Sequence, residues 1–395
     1  MKPIISKLSK QFLSKKIPKF KRFLYDRIDF KSRIIGIKGS RGSGKTTLMH
    51  QYAKSSKLKI SQKLYISCDH PALIGDDLFE LANDFYAHGG KLLLIDEIHK
   101  VKDFAKHIKA IYDFTELNVI FSGSSAMIIS HETSDLSRRV SMYEMPVLSF
   151  REFLKINNVF NFSSFSLEEI LLNHEDIAYE ITSQIKPLEW FDKYLTYGMY
   201  PFFKESVNDY NDRLVEVINT TIEVDLASIF NIDNDKLDTI KKVLYMLCTT
   251  TPYELSKSKL SSATNISWAT LSKYLDYMQT GSLVHIIRSQ KAHKGINKPS
   301  KLLLNNPNLF QSLCANADIG SRRESFFVSQ LSYKHQVHYH DKGDFIINDN
   351  YIIEIGGSSK DKKQIEGIEN SFLAIDDIEH GVDNSVPLWM FGFLY

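Results

Sequence analysis

The sequence predicts an α/β fold: a parallel sheet flanked by helices, then a mainly helical stretch and a smaller α+β module. Three observations carry this reading. Short apolar runs alternate with helical stretches over the first third of the chain, as βαβ units require. One run, Leu92-Leu93-Leu94-Ile95, is apolar without alternation, as in a strand buried on both faces. A glycine-rich loop stands between the first such run and the first helix after it. The 395 residues are 43% hydrophobic and 24% charged, enough to build the cores of two or three domains and too apolar for a disordered chain.

The elements follow in order. Arg33 to Lys38 reads as a strand ending at Gly39, and Thr47 to Ala53 as the helix after the loop. Leu64 to Cys68, Leu92 to Ile95 and Asn118 to Phe121 are the next strands. From Leu148 to Phe230 the pattern is mostly helical, interrupted at Pro201. Helical periodicity returns at Asp238–Leu247, Leu255–Ala263 and Trp268–Met278, the last with Ser267 as its N-cap and Gly281 as its stop. A β-like run, Leu283 to Ile287, follows, and three helices with a β-wing describe a winged helix-turn-helix. Strands return at 336–339, 344–347 and 351–355. The expected division is therefore 1–30 basic lead-in, 31–150 core, 151–234 helical subdomain, 235–305 winged helix and 306–395 C-terminal module.

The formal charge of +2 conceals an asymmetry. Residues 1–33 hold eleven Lys/Arg against Asp26 and Asp29, a net of +9, which leaves −7 for the rest. The head reads as a packed lead-in. Cys68, Cys248 and Cys314 lie far apart and fit no zinc spacing, so they read as single thiols in a reducing compartment. No apolar run reaches the ~18 residues that span a bilayer. The expectation is a soluble, cytoplasmic protein without a membrane partner.

Gly39-Ser40-Arg41-Gly42-Ser43-Gly44-Lys45-Thr46, followed by Thr47, fits the phosphate-binding pattern G-x-x-x-x-G-K-[ST] in its strand–loop–helix context. The glycines let backbone N–H groups turn inward around phosphates, and the helix N-terminus adds its dipole. Lys45 is assigned to the β- and γ-phosphates of ATP and the Thr46 hydroxyl to Mg2+. Asp96, at the end of a buried strand expected beside the first, is the metal-side carboxylate. Glu97 next to it is the general base that polarises water. Ser122 or Ser124 is placed to sense the γ-phosphate. Arg138 or Arg139, with Arg139 the chosen catalytic residue, is the candidate arginine finger contributed by a neighbouring subunit or domain, a role that favours a multimer or a closing domain.

Gly-Ser-Arg-Gly-Ser-Gly-Lys-Thr-Thr-Leu, Leu-Leu-Ile-Asp-Glu-Ile-His-Lys and Phe-Ser-Gly-Ser-Ser-Ala, in this order, resemble a prokaryotic AAA-type, archaeal/STAND-like P-loop ATPase family. The resemblance runs over nearly the whole chain. It implies a P-loop NTPase core of the additional-strand class, with the carboxylate strand between the P-loop strand and others in the sheet. It also implies a winged helix behind the core and a C-terminal PD-(D/E)xK nuclease-like domain. Lys45, Thr46, Asp96 and Glu97 take the roles already argued.

Two further features bear on partners. Arg288, Lys291, Lys294, Lys298 and Lys301 form a basic run without an acid, suited to DNA phosphates, while the competing reading is a winged helix that packs against the ATPase core as a lever with its basic loop solvated. Glu324, Asp344 and Glu354 are candidates for a second, nuclease-like site. There Gly356 stands where the nuclease pattern has lysine, which argues for a degenerate module, although Lys360, Lys362 or Lys363 is near enough in sequence to reach back. The expected function is an ATP-binding, Mg2+-dependent ATPase that acts as a switch on DNA or a protein. The alternative is an ATP-regulated, metal-dependent nuclease.

Overall fold

The structure is a computed structural model that describes residues 2–123, 138–249, 257–290, 301–315 and 318–395. It divides into two compact units, Met1–Pro146 and Val147–Tyr395.

In the first unit, β1 (Ile34–Lys38), β2 (Lys63–Ser67), β3 (Leu92–Asp96), β4 (Asn118–Gly123) and β5 (Ser141–Glu144) form one sheet in the order β2-β3-β4-β1-β5. Every pairing is parallel. Parallel neighbours need crossovers, and α3 (Lys45–Ser55), α4 (Leu78–Ala87) and α5 (Phe104–Phe114) supply them, after α1 (Pro3–Ser14) and α2 (Phe23–Arg27). The core under the sheet joins Leu93, Ile95, Val119 and Phe121 to Phe104, Ile108 and Ile111 of α5.

Two expectations about this sheet are corrected. The carboxylate strand β3 does not lie beside β1; β4 separates them, because β4 pairs with β1 on one edge and with β3 on the other. This register sets Ser122 opposite Ile37 and Phe121 opposite Ile95, so Ser122 stands between the loop and Asp96. The edge strand β5 was not foreseen, since Ser-Met-Tyr-Glu has no apolar run and is half-buried to exposed.

The basic head is built into this unit. Ile5, Ser9 and Leu13 of α1 are buried, while Lys7 and Lys10 face solvent. The Tyr65 N–H donates to Ser9 Oγ at 2.9 Å, and the Phe12 ring stacks on Tyr65 at 3.5 Å.

The second unit begins with α6 (Phe150–Ile156), α7 (Leu167–Thr182), α8 (Pro187–Tyr197) and α9 (Tyr210–Thr220). Next come α10 (Asn234–Thr249), α11 (Lys257–Thr264) and α12 (Trp268–Thr280), then the antiparallel pair β6 (Val284–Ile287) and β7 (Lys301–Leu304). The Ser267 hydroxyl caps α12 by accepting the Thr270 N–H. After α13 (Pro307–Leu313) and α14 (Ile319–Leu331), β8 (Val337–Tyr339), β9 (Phe345–Ile347), β10 (Tyr351–Gly356), β11 (Ser371–Ile375) and β12 (Ser385–Pro387) form a mixed sheet in the order β12-β11-β10-β9-β8. The chain end folds back onto the start of the unit: Ser149 Oγ and Arg151 Nε donate to the Tyr395 carbonyl at 2.8 and 2.9 Å. Phe150 makes edge contacts with Phe191 and Phe393, and Phe191 with Phe326 of α14.

The reading of three single thiols is also corrected. Cys248 at the end of α10 and Cys314 just after α13 form a disulfide, 66 residues apart, and Cys68 is free. Tertiary packing sets their Cα atoms 5.2 Å apart, a proximity that no sequence spacing announces. A bridge closing a loop of this length stabilises by about 2–4 kcal/mol. Reduction with dithiothreitol is therefore expected to lower the melting temperature of this unit by roughly 5–15 °C in calorimetry. An unchanged melting curve after verified reduction would contradict it. No helix among the described residues is long and apolar enough to cross a membrane.

Candidate functional site

The phosphate loop is shaped by its glycines. A Cβ on Gly39 would lie 2.3 Å from the Met145 carbonyl oxygen, so only glycine permits the chain to leave β1 there. Gly42 and Gly44 have φ of 81° and 101°, left-handed values that cost a side chain dearly. Helix α3 starts at once, with Gly44 as its N-cap, so its free amides open onto the loop. Lys45 is buried, and its ammonium donates to the carbonyls of Gly39 and Ser40, both at 2.8 Å. This holds a positive charge over the loop concavity. Arg41 and Thr47 are half-buried at its rim, and Ser43 is fully buried.

A residue that sequence reasoning missed also holds the loop. Arg22, only 4% exposed, donates from Nη1 to the Ser43 carbonyl at 2.6 Å and from Nη2 to the Pro146 carbonyl at 2.8 Å. Nothing in the basic head distinguishes this arginine from its neighbours, because the contact spans 21 and 124 residues.

Asp96 gathers the polar groups next to the loop. Its Oδ2 accepts from Thr46 Oγ1 at 2.6 Å and from the Tyr65 hydroxyl at 3.1 Å. Its Oδ1 accepts from Ser122 Oγ and from the Glu97 N–H. Burial, then the Asp96 charge, pushes the Tyr65 hydroxyl well above its usual range, so Tyr65 stays a donor. The fit to Mg2+ rests on this donor set: a hydroxyl and a carboxylate, both hard oxygens, side by side at the mouth of a phosphate loop. Ser122 is thus brought to the site through Asp96, while Ser124 lies outside the described residues. Tyr65 was not anticipated; it lies at a half-buried position of an alternating strand, where aromatics are ordinary.

Glu97 follows in a left-handed backbone conformation, φ 53° and ψ 42°, which is unusual for a non-glycine residue and turns the chain sharply out of β3. Its Oε2 is buried, makes no hydrogen bond, and lies 3.4 Å from Nδ1 of the buried His99.

Arg139 does not reach the chain's own phosphate loop, so any finger role would be one supplied to a neighbouring subunit. It precedes β5, whose Ser141 pairs with Ile35, so it lies at the opposite end of the parallel strands from Gly39. Six residues of strand separate those levels, roughly 20 Å. There Arg139 sits 3.4 Å from Asp113 and against the Tyr112 ring. Arg138 is exposed beside it.

In the second unit the three candidate carboxylates converge from different elements: Glu324 on α14, Asp344 just before β9 and Glu354 on β10. All are buried, at 7%, 4% and 2% exposure. Two lysines meet them. Lys301 Nζ lies 2.9 Å from Glu324 Oε2 and 2.7 Å from Asp344 Oδ1, and Asp344 Oδ2 accepts the Ile355 N–H at 2.8 Å. Lys360 Nζ pairs with Glu354 Oε1. Burial above all, and the neighbouring Asp344 charge, raises the carboxyl groups of Glu324 and Glu354 above their usual range, with the lysines opposing.

This arrangement changes two readings. Lys301 cannot touch DNA phosphates as part of the basic run, because its side chain is wholly buried among carboxylates. Lys291, Lys294 and Lys298 lie outside the described residues, and Arg288 lies 3.5 Å from Asp276. At Gly356, where the nuclease pattern has lysine, Lys360 is the lysine that reaches back to Glu354. A Cβ there would be 2.4 Å from Cβ and Cγ of Lys360, so glycine is what lets Lys360 cross the strand end to Glu354. Among the described residues, no three His, Cys, Asp or Glu side chains stand as a ready metal cage.

One family match covers the first of these sites. Residues 31–154 match a family described as an AAA domain, and residues 188–320 match a domain of unknown function. The chain is 27% identical over 372 residues to the uncharacterized protein MJ1637 of Methanocaldococcus jannaschii, covering 85% of this chain and 78% of that one. Among solved structures, it is similar to the S. cerevisiae Hsp104–ADP complex at 16% identity and a TM-score of 0.34, over 70% of this chain and 41% of that one. It is also similar to AMPPCP-bound DnaA from Aquifex aeolicus at 18% identity and a TM-score of 0.26, over 68% and 90% of the two chains. The AAA-domain match and the loop geometry together support a nucleotide-binding P-loop domain over residues 31–154.

Proposed function

We propose that this protein hydrolyses ATP with Mg2+ and uses the cycle as a switch on DNA or on a protein partner. The observation that carries the reading is the contact of Thr46 with Asp96 beneath a loop whose lysine is buried and poised. Lys45 would neutralise charge on the transferred phosphoryl group, and the loop amides at the start of α3 would orient it. Thr46 and Asp96 would hold Mg2+, which supplies charge neutralisation when bound. Glu97, next to Asp96 in a left-handed backbone conformation, would take the proton of the attacking water. The winged-helix reading of α10 to β7 is part of this proposal: helices α11 and α12, joined by a turn at the left-handed Asn265, precede a hairpin, and that order suits a module that contacts DNA.

The switch is tested by limited proteolysis of the full chain with and without ATP and Mg2+. Nucleotide is expected to slow or redirect cleavage at a defined set of sites, and an ATPase assay with added duplex DNA is expected to show whether DNA is the partner. Identical digestion patterns under saturating nucleotide would count against a switch.

A second reading, an ATP-regulated nuclease, is favoured by one observation. Lys360 reaches Glu354 across Gly356, so a lysine faces the carboxylates as phosphodiester cleavage requires. Metal-dependent cleavage of DNA that disappears in Asp344→Ala would establish it.

A further inference from the structure

The basic head is seated on the helix that starts at the phosphate loop. Helix α1 ends at Ser14, and an irregular stretch runs from Lys15 to Arg22 before α2. Three side chains of α3 hold this stretch by its backbone. His50 Nε2 donates to the Leu13 carbonyl at 3.3 Å, and Lys54 Nζ to the Lys15 carbonyl at 2.5 Å. Gln51 Nε2 donates to the carbonyls of Pro18 and Phe20, at 3.0 and 2.7 Å. His50 and Gln51 are each only 4% exposed, so these bonds fix the path of the chain from inside. At the end of the stretch Arg22 reaches the Ser43 carbonyl of the loop itself.

With its carbonyls directed at α3, the stretch presents its lysines to solvent. Lys15, Lys16, Lys19 and Lys21 are all exposed, and Lys54 adds an exposed cation beside Lys15. No acidic residue precedes Asp26 in the sequence, so the charge is of one sign. Lysines on a fixed backbone suit a polyanion. They act as point charges, without the planar fork by which arginine reads a base edge, and so contact phosphates independently of sequence. A lipid surface fits less well, because an interfacial helix needs a free apolar face. That face of α1 is turned to the sheet: Ile5 and Leu13 are buried, and Phe12 stacks on Tyr65.

We propose that the stretch from Lys15 to Lys21, together with Lys54, is a surface for the phosphate backbone of nucleic acid. The proposal rests on the reading of this chain as a switch on DNA or a protein; it names nucleic acid as the partner and this stretch as a place of contact apart from the winged helix. Bound there, nucleic acid lies against the helix that carries Lys45 and Thr46.

The test titrates fluorescein-labelled duplex DNA, and separately duplex RNA, with the full chain in the absence of nucleotide, reading anisotropy over a salt series. Lys15→Gln/Lys16→Gln/Lys19→Gln removes three exposed charges and keeps the α3 contacts, which use backbone carbonyls. It is expected to bind the preferred duplex roughly 10–100-fold more weakly than wild type, with the log–log salt slope shallower by ~3. Lys15→Arg/Lys16→Arg/Lys19→Arg is expected to bind as wild type does. Lys102→Gln/Lys106→Gln/Lys109→Gln removes the same charge from exposed positions elsewhere and is expected to change affinity less than about threefold. Equal effects of the two glutamine variants, as a site on the winged helix or a response to net charge alone would give, overturn the proposal. So does a wild-type chain that binds neither duplex, or that binds phosphatidylserine vesicles in their place. The two readings fail separately: ATP turnover without binding of either duplex removes this surface and leaves hydrolysis standing. Binding lost in the glutamine variant, by a protein that turns over no ATP, removes hydrolysis and leaves the surface.

Discussion

Lys45→Ala is expected to lower ATP turnover by about 10²–10³-fold in kcat/KM. The reason is electrostatic. Lys45 carries a buried positive charge held over the loop by the carbonyls of Gly39 and Ser40. Phosphoryl transfer involves little covalent chemistry for the protein, so its rate depends on positioned charge. Losing that charge weakens nucleotide binding and transition-state stabilisation together. Steady-state phosphate release, with melting curves recorded in parallel, separates this from loss of fold. Turnover unchanged in a folded Lys45→Ala protein would remove the assignment of the site.

Glu97→Gln is expected to leave nucleotide affinity within a few-fold of wild type and to lower kcat by about 10²–10⁴-fold. The substitution preserves size and the left-handed backbone but removes the proton acceptor. Asp96, Thr46 and Lys45 keep their contacts, so binding is retained while the chemical step slows. The substitution neutralises the carboxylate, whose buried Oε2 lies 3.4 Å from His99 Nδ1. A fluorescent-nucleotide titration beside single-turnover hydrolysis resolves the two effects. Parallel loss of affinity and rate would assign Glu97 to holding the loop, and an unchanged rate would remove it from the chemistry.

The sequence revealed these two sites unequally. The loop from Gly39 to Thr46 is local: its glycine spacing, its strand and its helix are all written within about twenty residues, so its shape could be read directly. Asp96 and Glu97 were legible because an unbroken apolar strand must end in solvent-facing chemistry at a predictable place. The strand order was not, since β4 lies between β1 and β3 only through hydrogen bonds over long separations. Arg139 shows the same limit from the other side. Its position in sequence after β4 suggested an arginine finger, and the parallel direction of β5 carries it to the end of the sheet away from the chain's own loop.

The same contrast runs through the second unit. Glu324, Asp344 and Glu354 could be picked out as a set, because two short strands joined by a tight turn bring Asp344 and Glu354 together. Lys301 was assigned to a solvated basic run, and composition gave no means of knowing that β7 would bury it. Gly356 read as a lost lysine when its real property is the absence of a side chain over which Lys360 passes.

By itself the sequence determined the phosphate loop, the buried strand that ends in Asp96 and the α/β class of the first unit, because these depend on short-range backbone geometry and on apolar periodicity. Only the tertiary structure decided which charges meet. It put Arg22 under the loop, joined Cys248 to Cys314, sent Arg139 away from the nucleotide site and placed Lys301 among three carboxylates. The physical reason is that a buried charge must find a partner, and packing chooses that partner from anywhere along the chain.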